Sequence, residues 1–577
     1  MSDDVTRPDG GPPAGTPMRG RRKLWLAAGV AGLTGVVGLA ALGGLTARDK
    51  PGDTDRLSDA QASAPRQNVS DAGAADDEAG KSEAGKSDAG TADDEAGKGK
   101  ETGTGNEAGK GEGEWSGGDR SGGSADRKHD GRTKKVPCDT DKLIQAITHA
   151  NKNDGATLEL AKHCTYELTR SEHGNGLPVI KESIVLKGED TKIVRAAATE
   201  RFRILNVGSS GHLTLKDVTI KGGQTAPRKM APPPTPLFGR SDPTKVAETP
   251  ARKPAMAAPT PSSATSGPSA TPVVEPDDAA TTGPTLAGAD GAGILVQQGG
   301  RADIEYSKIV QNNAGGNGGG IANFGTTSLR HTAVEENSAN GFGGGVFNTG
   351  VLRVEESKVA QNAAGAGGGG IANGAALTGP TLGGGTVWIW KSKISHNRTS
   401  VIGGGIFDNE GETTITQSEI TDNTAGADVG GLVGFSDSRL SLEHVLVARN
   451  YADDEAGGIG VGGGSNAVIE NSVIRENVAR GDSGGGLFND EGSVVLRDSE
   501  VLANQAIGPY GVGGGLVNDF GTIRLISTKV AHNLATEPPG GIWTNNDRVF
   551  IDRKSAVTDN RPTNCEGSPV IPDRCFG

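Results

Sequence analysis

From Ser307 to Asn560, apolar residues recur at a fixed phase. The segment Ser307-Lys-Ile309-Val-Gln-Asn312 has the form S-x-[IV]-x-x-N. It returns at 357–362, 392–397, 418–423, 472–477, 499–504 and 555–560. Thr332 and Thr528 replace the serine before Asn337 and Asn533, and Val445 replaces it before Asn450. The ten asparagines are spaced by 25, 25, 35, 26, 27, 27, 27, 29 and 27 residues. Between them lies a second element, Gly-Gly-Gly-[ILV]-x-Asn, as from Gly318 to Asn323 and from Gly343 to Asn348. A third is a short alternating run such as Leu352-Arg-Val354 or Leu440-Ser-Leu442.

This pattern predicts three short strands per period, separated by turns. Ile, Val and Leu at equivalent phases stack on their own copies in the next coil, and coils pair through parallel strands about 4.8 Å apart. Asparagine tolerates a left-handed turn, and its amide can hydrogen-bond along a ladder of copies. Glycine permits tight bends and close backbone approach. The expected fold is all-β, a right-handed parallel β-helix of about ten or more coils. A β-propeller needs four strands in a longer period. The run from Gly211 to Ile220 reads as an early coil. An end coil exposes a strand edge and needs a cover. Asp141 to Asn151 reads as an amphipathic helix, with Leu143, Ile144 and Ile147 on one face, and can cap the N-terminal end. The four cysteines allow three connectivities; proximity favours Cys138 with Cys164, stapling the cap, and Cys565 with Cys575, closing the tail.

Two departures from the repeat are candidate sites. Strand alternation places Val387 and Ile389 inward, so Trp388 and Trp390 point outward, beside Arg353, Glu355, Thr414 and Thr416 of adjacent coils. Two outward indoles on a flat sheet form a platform on which a sugar can stack. The insertion 374–385 lies next to them and is the segment that would bury them if it folded back. The second departure is a break in the glycine-asparagine series. The copies at Gly430 and Gly457 lack the asparagine, and Asp408 replaces it one coil earlier. With Asp453 and Asp454 it is a weak candidate for acid/base work on a glycan, which needs two carboxylates across one groove. The alternative is solvated turn residues in a drifting repeat.

The rest of the chain concerns address. Arg19, Arg21, Arg22 and Lys23 precede an uncharged stretch from Leu24 to Ala47. Arg21-Arg22-Lys23-Leu24-Trp25-Leu26 resembles a twin-arginine export signal, an ordinary Sec signal being the alternative. The stretch 24–47 is a signal peptide or a signal anchor, so release and retention on the outer face of the cytoplasmic membrane are both expected outcomes. The implied order is a basic cytoplasmic segment 1–23, that stretch, a disordered linker 48–135, a cap with first coils 136–224, a disordered Pro/Ala/Ser/Thr-rich insert 225–286, and the main repeats with a tail, 287–577. With 93 glycines and 3% aromatics, the composition argues against an ordinary layered globular enzyme. A net charge of −13 points away from nucleic acid. Scattered histidines and the lack of a C-x-x-C pair give no metal site, and no cofactor is expected.

The pair Gly-Gly-Gly-Ile and Ile-x-x-Asn resembles the repeats of chlamydial polymorphic outer-membrane proteins, with Ile or Val where that family has Phe. More broadly, residues 136–224 and 287–577 are similar to the right-handed β-helix proteins of the pectate-lyase superfamily. The stretch Cys138 to Ile147, with Cys164-Thr-Tyr166-x-Leu168, resembles exported actinobacterial members with such a cap. The resemblance implies the fold. That superfamily holds lyases, hydrolases and non-enzymatic surface proteins. The G-H-G and R-I-K motifs of its hydrolases are absent, Gly211-His212-Leu213 being the nearest. The expected function is therefore an exported, non-catalytic surface module for a polysaccharide or other cell-surface polymer. A secreted polysaccharide lyase or glycoside hydrolase is the alternative. Membrane contact is expected through the N-terminal segment if it is not cleaved.

Overall fold

A computed structural model describes residues 133–227, 289–375 and 382–577. Arg21 and Arg22, the stretch 24–47, the linker up to residue 132 and the insert from residue 228 lie outside the described residues. Among the described residues no helix is long and apolar enough to cross a membrane.

The repeat folds into a parallel β-solenoid. One coil shows how. The strand Ile321–Asn323 is followed by Thr326–Arg330, Ala333–Glu335 and Ser338–Ala339, after which the chain returns to the next Gly-Gly-Gly. Each strand pairs in parallel with its copy one coil away, as Ile321 with Val346 and Leu329 with Val354. The glycine-led strands form an 11-stranded sheet. The five-residue and three-residue strands share a 25-stranded sheet, because the early strands Ser183–Arg195 and His212–Lys221 run across both faces.

The fourth ladder is a correction to the expected three strands. It is a 9-stranded sheet of two-residue segments such as Asn313–Ala314, too short to show any alternation in the sequence. The first strand, Thr133–Val136, also begins inside the stretch assigned to the linker and pairs with Thr157–Leu160.

The interior is filled by columns of like residues. Val346, Val354 and Val359 of one coil lie over Ile371, Ile389 and Ile394 of the next, all 0–1% exposed. Each such side chain contributes about 1.5–3 kcal/mol relative to exposure. The Gly-Gly-Gly turn is dictated by crowding. Gly343 has a φ of +68°, and a Cβ on Gly344 would lie 2.4 Å from the Ala363 carbonyl of the next coil.

The asparagine ladder runs unbroken from Asn312 to Asn560 and ends on Asn564. In the middle, Asn450 Nδ2 donates to Asn477 Oδ1 (3.0 Å) and to the Ile420 carbonyl (2.9 Å). Its Oδ1 accepts from both Asn423 Nδ2 (2.9 Å) and the Asn423 backbone N–H (3.0 Å). The left-handed residue, however, is not the asparagine. It is the residue before it: Gln361, His396, Arg449 and Ala503 have φ between 52° and 56°. A second left-handed corner falls before the serine, at His331, Glu356, Lys391 and Gln417.

A further apolar column covers the outside of the glycine-led strands. Phe342 and Phe407 rings lie 5.4 Å apart, and Phe347, Val429, Val433 and Val517 continue the stack, all buried. The residue before Gly-Gly and the middle residue of [ILV]-x-Asn build it.

At the N-terminal end, α1 (Thr140–Ala150) buries Leu143, Ala146, Ile147 and Ala150, and Ile144 is partly buried. Asp139 caps it by accepting from the Lys142 N–H at 3.1 Å. Disulfides join Cys138 to Cys164 and Cys565 to Cys575.

Candidate functional site

The five-residue strand Thr386–Trp390 has the burial pattern of a strand with one wet face. Val387 and Ile389 are buried, and Trp388 and Trp390 are 38% and 40% exposed. Parallel register sets Arg353 beside Trp388 and Glu355 beside Trp390 on one side, and Thr414 and Thr416 on the other. The described ends of the insertion go elsewhere. Ala375 and Leu382 exchange backbone hydrogen bonds of 2.8 and 2.9 Å, and both pack against the outer apolar column over the glycine-led strands.

The indoles are not a bare shelf. The Arg353 guanidinium lies 4.6 Å from the centre of the Trp388 ring, and the Lys391 ammonium lies 4.3 Å from that of Trp390. Each cation covers part of one ring face, so a ligand meets an aromatic ring and a positive charge together.

Lys391 also lines a shallow open groove of about 530 Å³ that crosses four consecutive coils at the left-handed corner, from His331 to Gln417. Small or short residues at the corner, Thr332, Ser357 and Ser392, make the concavity. Their hydroxyls are held inward: Ser357 Oγ donates to the Glu355 carbonyl at 2.7 Å and accepts from the Thr332 N–H at 3.0 Å. At the His331 end, the imidazole stacks on Tyr306 at 4.7 Å.

The carboxylate candidates do not converge. Asp408 is 0% exposed and sits inside the solenoid, in register with Asn373. It accepts from Asn373 Nδ2 (3.1 Å), the Gly411 N–H (3.0 Å), Ser438 Oγ (3.0 Å) and Thr413 Oγ1. Burial pushes its carboxyl above the usual range, against the pull of these four donors. Asp453 and Asp454 lie on an exposed turn, where Asp453 accepts from the Tyr451 hydroxyl at 3.1 Å. No groove is shared between the buried residue and the exposed pair, because the strand that carries Asp408 points it inward like the asparagines it replaces.

An outer charge ladder, missed in the sequence, runs along the early coils. Asp303 accepts from His212 (2.7 Å) and Arg301 (2.9 Å), and Glu305 pairs with Lys216 (2.9 Å). Burial works to raise the Asp303 carboxyl, but the His212 and Arg301 hydrogen bonds outweigh it and hold the group below the ordinary range. Among the described residues there is no group of three or more His, Cys, Asp or Glu that could hold a metal ion.

Residues 381–560 match the family described as right handed beta helix region. That segment begins within the insertion beside the tryptophans and ends at the last asparagine of the ladder. No curated protein matches the chain.

Proposed function

We propose that this chain is an exported, envelope-associated or secreted β-helix protein that binds a glycan or similar polymer without cleaving it, through the surface at Trp388 and Trp390. The observation that carries this reading is the exposed indole pair, set in a rigid sheet beside a groove that runs across four coils. Rigid strands hold the two rings with little ordering cost on binding. The separation of Asp408 from Asp453 and Asp454 favours binding over hydrolysis.

The two disulfides support an oxidising destination, and the arginine pair at 21–22 before an apolar stretch supports export. The likeness to chlamydial surface repeats, and to exported actinobacterial members of the pectate-lyase superfamily, supports display at a cell surface. In that arrangement the segment 48–132 serves as a tether.

The test uses the full chain and a panel of neutral and acidic polysaccharides, with tryptophan fluorescence and product release followed in one sample. Binding should appear as a fluorescence change without new reducing or unsaturated ends. Replacing Trp388 and Trp390 with Ala should weaken it by roughly tenfold or more, about 1.4 kcal/mol. Released product would overturn the non-catalytic reading. Binding that is unaltered in the double variant would overturn the site.

A further inference from the structure

We infer that the ligand of the Trp388–Trp390 surface is anionic, a glycan bearing carboxylate, sulfate or phosphate groups, and that Arg353 and Lys391 select it. This rests on the binding reading proposed above and adds the ligand's charge and the residues that read it.

The argument begins with which cations are already neutralised. Along this face Arg330 lies between Glu355 (3.0 Å) and Glu305 (3.5 Å). Lys358 pairs with Glu335 at 2.7 Å, and Lys393 with Glu419 at 3.0 Å. Arg353 and Lys391 differ. Among the described residues neither has a carboxylate within 4.0 Å, and each rests on an indole instead. A ring face orients a cation but leaves its charge uncompensated and its outer side open to an incoming anion. Glu355, the carboxylate in register with Trp390, is engaged by Arg330 and does not neutralise the site.

The two cations bracket the aromatic pair. Arg353 stands one coil before Trp388, and Lys391 follows Trp390 at the corner, where it enters the groove. A polymer lying over the indoles and into the groove therefore meets positive charge at both ends of the aromatic contact. The groove's two carboxylates, Glu356 and Glu419, lie against His331 (3.2 Å) and Lys393 (3.0 Å), so the cations on the indoles are the charges left over at this site.

The test compares oligosaccharides of equal length: a neutral one, a uronate, a sulfated one and a phosphate-bearing one, each titrated at low and high salt into the full chain. At least one acidic oligomer should bind tenfold or more tightly than the neutral one, with affinity falling as salt rises. The double variant Arg353→Gln and Lys391→Gln should lose that tenfold preference while retaining whatever affinity the neutral oligomer has. Arg353→Lys with Lys391→Arg should restore most of it, which separates loss of charge from loss of fold. Equal binding of neutral and acidic oligomers, unchanged in the Gln variant, would overturn the charge reading and leave the aromatic site standing. Acidic binding that survives Trp388→Ala with Trp390→Ala and also survives the Gln variant would overturn both readings.

Discussion

Two amide ladders run through this solenoid, and only one is continuous. The ladder from Asn312 to Asn560 satisfies every side-chain donor and acceptor in each coil. The ladder under the glycine-led strands starts in the same way, Asn323 to Asn348 at 2.7 Å and Asn348 to Asn373 at 2.8 Å, but ends on Asp408. It resumes only at Asn489 and Asn518. The gap follows from the two equivalent positions that come next, Gly434 and Val461, neither of which carries a side-chain amide. In the coil after Asp408 the equivalent residue is Gly434, and a Cβ there would lie 2.8 Å from Leu440 Cδ1. Leu440 packs over Gly434, yet Leu352 at the same phase leaves Asn348 its place, so the missing side chain and not the leucine ends the ladder. A carboxylate suits the end of such a ladder, because it accepts on every side and asks for no partner above. The difference teaches that a polar column inside a solenoid is held by its neighbours, and stops where glycine or an apolar residue takes an amide's position.

The largest effect is expected from cutting the continuous ladder. Asn450→Leu leaves two buried donors of Asn423 without an acceptor. It should cost about 2–6 kcal/mol in denaturant unfolding. A loss under about 1 kcal/mol would mean that the ladder is incidental. Next comes an attempt to bridge the broken one. Gly434→Asn should destabilise by about 1–3 kcal/mol through overpacking. Adding Leu440→Ala should recover part of that loss; no recovery would place the obstruction elsewhere.

Asp408→Asn probes the terminus of the ladder, with an expected effect within about 1–2 kcal/mol near neutral pH. Its sign depends on pH. The folded carboxyl titrates above its unfolded value, so this group's contribution is fully present below the unfolded range near ~3.9 and is lost as pH rises toward the folded value. The variant has no such group and should gain on the parent as pH rises. Asp303 carries the opposite sign: its folded pKa is lowered, so its contribution is present above the unfolded range and is lost as pH falls through the folded value. Urea melts from about pH 3 to pH 8 should show the Asp408→Asn and Asp303→Asn differences moving in opposite directions. Parallel or flat profiles would contradict both assignments.

The smallest effect concerns the corner beside the continuous ladder. Ala503 has a φ of 53°. Ala503→Gly should relieve strain and stabilise by up to about 1 kcal/mol; thermal melts that show destabilisation would argue that the corner is not strained.

The fold was legible because like residues return at like phases, and the outward aim of Trp388 and Trp390 followed from the burial of Val387 and Ile389. The left-handed corners were not legible, since Gln361, His396, Arg449 and Ala503 share no chemistry and only their backbone is alike. The outer apolar column left a signal that was passed over: Phe342 with Phe347, Ile402 with Phe407 and Val512 with Val517 each flank the glycines. The place of Asp408 is not legible in the sequence, because its departure from asparagine reads as a loosened repeat, whereas the strand keeps the position inside and only the chemistry at the end of the ladder has changed. Coil stacking alone set Arg353 beside Trp388, but that its guanidinium lies over that ring, and that the Lys391 ammonium lies over Trp390, depends on side-chain direction, which the repeat does not encode.

Every five-residue strand from Arg301 onward begins eleven positions before its ladder asparagine, up to Thr522 before Asn533. Length varies only in the turns on either side of the glycine-led strand. The insertion 374–385 occupies one of these turns. The long insert occupies the other, and His212 still pairs with Arg301 across it. The molecule thus separates a part that keeps count from a part that does not. Additions at those two turns are absorbed where they occur, so new segments can be acquired, exchanged or engineered there without renumbering the contacts of any other coil.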